Sequence, residues 1–403
     1  MGRVRVSVVG VGADGWPGLT TAAREALRAA EVLHGSARQL ALLPDEVTGE
    51  RAPWPSPMLP ALPGLLERRA THRLCVLASG DPMFHGVGAT LARLLGPDAL
   101  EVHPHPSSAS LACARLGWAL HEATVVSLLL DDADVVLAAV RPGARLLVLS
   151  RGSQSPAEVA SVLAGAGWGP SRLTVLEQLG GPAERRVAGT AQGWSQPAAD
   201  PLNVVAVECA AGPTAVRRSG VPGLPDDDYE HDGQLTKREV RAVTLAALGP
   251  RPGELLLDVG AGAGSIAVEW ARSHPACRAL AVEHHPERAA AIARNAVALG
   301  APAVRVVTGR APEALAGLET PDAVFVGGGV SGDGVLDTCL AALRPGGRLV
   351  ANAVTVESEA VLAAAHARHG GTLTRVQVSR SKPVGGFTGW STGMIVTQWA
   401  VTV

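Results

Sequence analysis

The chain has 403 residues, with 35 Lys or Arg against 37 Asp or Glu, which leaves a formal net charge of −2 at pH 7. This length predicts two domains, each large enough to bury a core without disulfides or metal ions. The balanced charge argues against a general attraction to nucleic acid or to anionic membranes. No apolar run approaches the roughly 18 to 20 residues that cross a bilayer. The first residues lead into a strand pattern rather than a signal peptide, so we expect a cytoplasmic protein.

Neither the cysteines nor the histidines are spaced like metal ligands. The five cysteines lie far apart without a CxxC pair, which favours reduced residues in hydrophobic cores. Two close pairs of histidines occur, but two imidazoles need further ligands to form a metal site. We therefore predict no metal centre. The residues concerned are Cys75, Cys113, Cys209, Cys277 and Cys339, and His103, His105, His284 and His285.

Short apolar runs alternate with alanine-rich helical stretches along the whole chain, which is typical of α/β domains with mainly parallel sheets. Between Cys209 and Gly233 this pattern gives way to a segment rich in Gly, Pro and acidic residues, which predicts a linker. We place a first domain at residues 1–211, the linker at 212–228 and a second domain at 229–403. The predicted strands are residues 4–9, 74–78, 145–149, 255–259, 279–283, 304–307, 323–326 and 348–351.

Three loops of the first half place glycine, proline or serine directly after a predicted strand. Proline restricts φ while glycine frees it, so the second loop can hold an irregular backbone that lines a pocket. Serine hydroxyls in the third loop can bond a ligand or cap the next helix, and capping is the more common role of either serine alone. The residues are Gly10 in the first loop, Gly80, Asp81 and Pro82 in the second, and Ser107 and Ser108 in the third.

The second half carries the clearer motif, LLLDVGAGAGS, in which a predicted strand ends near Asp258 and the glycines 260, 262 and 264 follow. Glycine permits a tight turn and the close approach of a ligand to the backbone. The GxGxG spacing differs from the GxGxxG of dinucleotide-binding loops, and an acidic strand end suits the ammonium and sulfonium groups of S-adenosylmethionine. The motif therefore favours that methyl donor over NAD. A simple tight turn remains the alternative for the glycines taken alone.

The next two strand ends refine this interpretation. Glu283 ends the strand ALAVE, where its carboxylate can accept both hydroxyls of a ribose. The strand AVFV is followed by VGGG, whereas methyltransferases that act on the amino groups of nucleic acid bases resemble one another in a DPPY-like loop at that point. Without its aromatic platform a flipped base could not stack. The sequence therefore indicates a methyltransferase with another kind of substrate.

The segment DDDYEHDGQLTKREVRAVTLAALGPRPGELLLDVGAGAGSIAVEWA, the later RAPEAL and VGGG, and the closing RSKPVGGFTGW resemble the decarboxylating precorrin-6 methyltransferase domain of cobalamin biosynthesis. The resemblance implies a Rossmann-like class I methyltransferase fold. It also makes Lys237 and Lys382, the only two lysines, candidates for contacts with substrate carboxylates. Arginines near the motifs are further candidates because their fork suits carboxylates, although surface solvation is more common for any one of them; they are Arg238, Arg241, Arg310 and Arg380. The donor contacts that the resemblance implies are Thr236, Gly260, Ala261, Gly262, Ala263, Gly264, Glu283 and Ala311, and Asp258 is a further donor contact that we predict from the acidic strand end.

The loops of the first half, together with RLTVLEQLGGPAER, resemble the tetrapyrrole (corrin/porphyrin) methylase family over about residues 3–210. The resemblance implies a two-lobed α/β fold that binds its donor against the GDP loop. Donor contacts would then be Gly10, Gly80, Asp81, Pro82, Ser107 and Ser108. The sequence departs from many relatives by placing His105 and Pro106 where they have glycine before the serines.

The order of the two domains resembles the two-domain, decarboxylating precorrin methyltransferases. It implies methylation of a precorrin-6 type substrate at C5 by the first domain and at C15 by the second. Decarboxylation of the C12 acetate would then give precorrin-8. Each turnover would consume two S-adenosylmethionine molecules and need no metal. The expected partners are a small tetrapyrrole and further copies of the chain, with no nucleic acid and no membrane.

Three alternatives are weaker. An RNA or protein methyltransferase with an N-terminal accessory module predicts a basic or aromatic face, against which stand the near-neutral charge and only 12 aromatic residues. A donor-binding regulatory protein without catalysis would not need intact loops in both halves. An NAD enzyme is disfavoured by the GxGxG spacing.

Overall fold

The computed structural model describes residues 5–68, 71–215 and 219–403. The chain divides into two compact units, one of residues 1–133 and 139–215 and the other of residues 134–138 and 216–403. Both units are α/β, as predicted. Within the described ranges, no helix combines the length and the apolar character that crossing a membrane requires.

The first unit has two lobes, and its N-terminal lobe contains a parallel sheet in the order β3-β2-β4-β1-β5. Neighbouring residues of β1 point to opposite faces, so Val8 and Val9 enter two separate cores. The strands are β1 Val6–Val11, β2 Val32–Gly35, β3 Glu50–Pro53, β4 Leu74–Ser79 and β5 Leu100–His103. The helices are α1 Thr21–Ala29, α2 Ala37–Ala41, α3 Met58–Arg68 and α4 Val87–Leu95.

The second lobe of this unit departs from the predicted parallel arrangement. Its sheet has the order β6-β7-β10-β8-β9, and only β6 and β7 pair in parallel. The short connection after β8 allows direct antiparallel pairing with β9, which a parallel pair could not use. The elements are α5 Ser108–Leu116, β6 Ala123–Ser127, β7 Arg145–Leu149, α6 Ser155–Gly165, β8 Arg172–Glu177, β9 Arg185–Thr190 and β10 Asn203–Glu208.

The second unit is a seven-stranded sheet in the order β13-β12-β11-β14-β15-β19-β16, parallel from β13 to β15 and antiparallel at β19. The hairpin β17–β18 forms a separate two-stranded sheet. The strands are β11 Leu255–Val259, β12 Arg278–Glu283, β13 Val304–Thr308, β14 Ala323–Val326, β15 Arg348–Ala353, β16 Thr372–Val376, β17 Ser379–Val384, β18 Phe387–Thr392 and β19 Val396–Thr402. The helices are α7 Arg238–Leu248, α8 Ser265–Ser273, α9 Pro286–Ala298, α10 Val335–Ala342 and α11 Val356–His369.

This strand order creates the place where a ligand can bind. From β11 the chain proceeds outward through β12 to β13, and then returns to the other side of β11 for β14 and β15. The loops on the two sides therefore diverge at the carboxyl ends of β11 and β14, which opens a crevice there. The predicted strands of this unit lie within two residues of the observed ones.

Part of the predicted linker packs as an integral piece of the second unit. Leu224 of the predicted linker is only 3% exposed and joins a core cluster with Tyr229, which directly follows the linker, Val268 of α8 and Ala296 of α9. The division between the units falls at residue 215. Only the residues before Leu224 therefore remain as candidates for a connecting segment. Composition alone does not predict this packing, because one apolar side chain is enough to anchor a segment rich in proline and aspartate.

Candidate functional site

A cleft of about 740 Å³ lies within the second unit at the carboxyl ends of its parallel strands. One wall comes from the loops after β11, β12 and β13, and the other from the loops after β14 and β15 with part of the β17–β18 hairpin. The segment that precedes α7 also lines it, through Gln234, Thr236 and Lys237. The cleft thus occupies the crevice that the strand order creates.

The loop after β11 passes between two other stretches of backbone. A Cβ on Gly260 would lie 2.7 Å from the carbonyl oxygen of Gly328, and a Cβ on Gly262 would lie 2.7 Å from that of Gln234. Both glycines also have positive φ, +68° and +58°. Only glycine combines this conformation with these contacts. The loop therefore presents bare backbone to the cleft.

Glu283 links the loop after β11 to the end of β12. Its side chain is 3% exposed; one carboxylate oxygen accepts a hydrogen bond from the Gly262 amide at 2.9 Å, and the other accepts one from the His285 amide at 2.9 Å. The oxygen that accepts from His285 also lies 3.1 Å from the Nδ1 of His284, whereas the oxygen that accepts from Gly262 keeps a second acceptor site, because a carboxylate accepts about four hydrogen bonds. Glu283 lines the cleft, so the geometry permits the predicted ribose contact.

Asp258 has a different position from Glu283. It is 1% exposed and is not among the residues that line the cleft. One carboxylate oxygen accepts a hydrogen bond at 3.1 Å from the Ala267 amide in the first turn of α8, and the other has no partner. Burial raises the pKa of Asp258 to about 7, the hydrogen bond from Ala267 opposes this rise, and the charge of Glu283 adds to it. Asp258 therefore lies beneath the glycine loop and supports the start of α8.

A buried ion pair holds the segment that enters the cleft. Arg241 is fully buried; its Nε donates to Glu269 at 2.6 Å and one of its terminal nitrogens donates to the Thr236 carbonyl at 2.6 Å. The phenol of Tyr229 donates to the same Glu269 oxygen at 3.0 Å, and its ring lies under the guanidinium. Breaking such a pair leaves an uncompensated buried charge. Arg241 thus fixes the backbone at Thr236 from inside the protein.

The structure brings most, though not all, of the predicted residues of this half to the cleft. Thr236, Lys237, Gly260, Ala261, Gly262, Glu283 and Ala311 line it. Asp258, Ala263, Gly264, Arg238 and Lys382 do not. Gly264 packs against Ile292, and the Ala263 amide donates to the Gln234 carbonyl at 3.1 Å. Lys382 is exposed in the β17–β18 hairpin opposite Gly389. Arg238 is exposed at the first position of α7.

Sequence reasoning missed two residues on the opposite wall. Asn352 at the end of β15 and Met394 after β18 line the cleft. No local motif marks them, because strand order and the hairpin bring them together from distant parts of the chain. Arg380 of β17, the first residue of the motif RSKPVGGFTGW, also lines the cleft, and its guanidinium is bonded to Glu239 of α7.

In the first unit, the loops after β1, β4 and β5 converge. A Cβ on Gly10 would lie 2.1 Å from the carbonyl oxygen of Gly80 and 2.8 Å from the amide nitrogen of His105. Gly80 has a φ of +60° and lies against Pro106. The side chain of Asp81 accepts a hydrogen bond from the Met83 amide at 2.8 Å, which holds the irregular loop that contains Pro82. The predicted donor residues of this half are therefore neighbours in space.

The two serines of this half have distinguishable positions. Ser107 is the N-cap of α5 and accepts a hydrogen bond from the Ser110 amide at 3.1 Å, as the capping interpretation predicts. Ser108 is the first residue of the helix. His105, just before them, is 8% exposed, and its Nε2 lies 3.1 Å from a carboxylate oxygen of Asp14. The loops of β1 and β5 are thus joined by side chains as well as by backbone.

The cysteines are all buried and free. Within the part of the chain that the structure describes, no three His, Cys, Asp or Glu side chains form a group that could hold a metal ion.

Comparison with known proteins matches both units. The family described as "Tetrapyrrole (Corrin/Porphyrin) Methylases" matches residues 5–193, and the "Precorrin methyltransferase domain" matches residues 227–403. The precorrin-6Y C(5,15)-methyltransferase [decarboxylating] of a Sinorhizobium species is 48% identical over 397 residues, which cover 98% of this chain and 96% of the relative. The chain belongs to this family. The predicted membership, fold class and dependence on S-adenosylmethionine are confirmed.

Two further proteins each match less than half of the chain. A cobalt-precorrin-6B C(15)-methyltransferase (decarboxylating) of Salmonella typhimurium is 33% identical over 156 residues, 38% of this chain and 80% of the relative. The crystal structure of the C-terminal domain of precorrin-6Y C5,15-methyltransferase from Rhodobacter capsulatus has 46% identity, covers 46% of this chain and all of that chain, and has a TM-score of 0.44.

Proposed function

We propose that the chain transfers methyl groups from S-adenosylmethionine to C5 and C15 of a precorrin-6 type tetrapyrrole and removes the carboxylate of the C12 acetate, giving precorrin-8. The observation that carries this proposal is the 48% identity with a family member along 98% of the chain. Identity over this length spans both sets of loops, so each unit retains its own candidate site.

The second unit offers a binding site that fits the donor. Gly260 and Gly262 line the cleft with bare backbone, and the Glu283 oxygen that accepts from Gly262 keeps an acceptor position for a ribose hydroxyl. Thr236 and Ala311 complete the wall on that side. S-adenosylmethionine supplies an electrophilic methyl group on a sulfonium, so no residue of the chain must act as a nucleophile. Asp258 contributes from below by fixing the start of α8.

The protein's main task is therefore to orient its two substrates. A tetrapyrrole carbon conjugated to nitrogen is a nucleophile of the enamine type. Holding this carbon in line with the methyl group can lower the activation free energy by roughly 7 to 11 kcal/mol. The rigid walls serve this purpose, since Arg241 fixes the Thr236 segment and Glu283 fixes the glycine loop. Lys237, exposed at the mouth of the cleft, is placed to meet a substrate carboxylate.

We assign the two methylations to different units. The relative named for C(15) methylation and decarboxylation aligns with only 38% of this chain, which is too little to span both units. The second unit, with its Rossmann-like cleft, is our candidate for that chemistry. C5 methylation then falls to the first unit, at the convergent loops of Gly10, Gly80, Asp81 and Ser107. The Sinorhizobium relative is named for precorrin without cobalt, and we propose a metal-free substrate.

Mass spectrometry of the product tests the proposal. The full chain with S-adenosylmethionine and metal-free precorrin-6B should yield a product that has gained two methyl groups and lost one carbon dioxide. Glu283→Gln should suppress the C15 methyl group and the decarboxylation while the C5 methyl group is still added. Asp81→Ala should do the reverse. An unchanged substrate mass with the wild-type chain would contradict the proposed function.

The alternative of an RNA or protein methyltransferase is not favoured, because full-length relatives carry precorrin names. We further propose that the chain works as a cytoplasmic homo-oligomer, the common state of enzymes of this size. Light scattering on the purified protein checks the oligomeric state.

A further inference from the structure

Three polar side chains from distant parts of the second unit meet behind the cleft. Asn352 of β15 donates from its amide nitrogen to the Thr244 hydroxyl of α7 at 2.9 Å. Gln398 of β19 donates to the same hydroxyl at 3.0 Å and to the amide oxygen of Asn352 at 2.9 Å. Thr244 and Gln398 are 0% and 4% exposed. Only Asn352 is partly accessible, and it lines the cleft.

The cluster fixes which way the Asn352 amide faces. The Thr244 hydroxyl donates its own hydrogen to the Val240 carbonyl at 2.8 Å, so towards the two amides it can only accept. Both amide nitrogens must therefore point at Thr244, and the oxygen of Asn352 must accept from Gln398. This arrangement leaves Asn352 one further N–H donor. A fully connected network of this kind holds its members in a single orientation.

Asn352 lies on the wall of the cleft opposite the donor residues. Gly260 and Glu283 follow β11 and β12, whereas Asn352 is in β15, beyond the point where the strand order reverses. Arg380, a cation that lines this wall, is bonded to Glu239 and lies 3.6 Å from Asp226. The fixed donor on the substrate side is therefore a neutral amide rather than a free cation.

Building on the proposed function, we propose that Asn352 donates its remaining N–H to the substrate acetate that leaves as carbon dioxide. In that step the carbon–carbon bond to the carboxylate breaks and its electron pair passes into the conjugated macrocycle. Carbon dioxide departs, and a proton from solvent then completes a methyl group. Asn352 acts as a substrate-positioning residue that holds the acetate beside the ring.

The neutrality of Asn352 suits this step. The carboxylate loses its charge as carbon dioxide forms, so a group that binds the charge strongly stabilises the ground state more than the transition state. Hydrogen bonds to ionised donors are about twice as strong as neutral ones. A cation at this position would therefore slow the loss of carbon dioxide. A neutral donor also orients the acetate, but it stabilises the ground-state carboxylate less.

The first experiment measures product composition with the full chain. Asn352→Leu should lower the rate at which decarboxylated product forms by about tenfold, which corresponds to loss of one hydrogen bond to a charged group. Affinity for S-adenosylmethionine should stay within about twofold, because the donor residues are on the other wall. Thr244→Val, which frees the amide to rotate but keeps Asn352, should give a smaller loss.

The second experiment needs no turnover. Uroporphyrin III carries acetate side chains at the positions where coproporphyrin III carries methyl groups, and both keep their propionates. Wild-type protein should bind uroporphyrin III more tightly than coproporphyrin III, and Asn352→Leu should reduce this preference severalfold. The first unit is unchanged in the variant, so the difference between wild type and variant reports the cleft of the second unit.

A purely structural role for Asn352 makes a different prediction. Asn352→Leu and Thr244→Val would then lower the melting temperature while leaving the decarboxylated fraction and the porphyrin preference at their wild-type values, which would overturn the proposal. Failure of the wild-type chain to release carbon dioxide from precorrin-6B would count against the proposed function. In that case the porphyrin comparison still decides whether Asn352 recognises an acetate.

Discussion

Replacing Gly262 with alanine probes the crossing of the glycine loop with the Gln234 segment. The new Cβ would lie 2.7 Å from the Gln234 carbonyl oxygen, whereas ordinary contacts begin at 3.4 Å. The backbone at Gln234 must therefore move away from residue 262. Thr236, which is two residues later and lines the cleft, should move with it. The positive φ of +58° adds a strain of about 1 to 2 kcal/mol.

Gly249→Ala is a matched control for Gly262→Ala. Gly249 has nearly the same φ, +55°, but a Cβ there meets its nearest neighbour at 3.9 Å. The control therefore has the conformational strain without the displaced segment. Gly249→Ala should lose about 1 to 2 kcal/mol of the free energy of unfolding, and Gly262→Ala should lose more because displacement of the Gln234 segment adds to the strain.

Calorimetric titration with S-adenosylmethionine separates the two effects. The Gly249 variant should keep donor affinity within about twofold in both units. The Gly262 variant should bind at least about tenfold more weakly at one of two sites, equivalent to about 1.4 kcal/mol. If the Gly262 variant binds two donors with wild-type affinity, the loop does not form the donor site and the reasoning fails.

Three further predictions test other parts of the molecule. Asp258 binds a proton in the folded state at pH values where it would be ionised in the unfolded chain. The free energy of unfolding should therefore fall as pH rises from about 4 to about 7. In thermal melts, the melting temperature of Asp258→Asn should fall less over this pH range than that of the wild type. Arg241→Leu leaves Glu269 buried without its cation and should cost about 3 to 5 kcal/mol, seen as early melting of the second unit while the first unit's transition is unchanged. Ser107→Ala should cost about 1 kcal/mol through loss of the cap on the Ser110 amide, and calorimetry should show unaltered donor binding; a large loss of affinity would instead assign Ser107 to the ligand.

Local sequence patterns were sufficient for the fold class and for much of the donor side of the cleft. A strand followed by closely spaced glycines predicts a tight turn, because glycine readily adopts the positive φ that such a turn needs. Glu283 could be placed for a similar reason, since it ends the next parallel strand and such ends meet at one edge of the sheet. Asp258 also lies at that edge, but the direction of its side chain depends on the packing of α8.

Prediction failed where distant segments pack together. Leu224 and Tyr229 lie in a stretch whose composition indicates a linker, yet their two side chains fill a core cluster with α8 and α9. Lys382 was chosen as one of only two lysines, but the hairpin places it away from the cleft. Arg380, two residues earlier in the same strand, does reach it.

The sequence by itself determined the α/β class, the two sets of glycine-containing loops and the choice of a methyl donor over a dinucleotide. These features depend on residues within one turn and its flanking strands. Tertiary structure alone decided that Asn352, Thr244 and Gln398 meet, although they are separated by up to 154 positions. It also decided that Arg241 is buried beneath Thr236. Strand order brings such groups together, and no short stretch of sequence encodes that order.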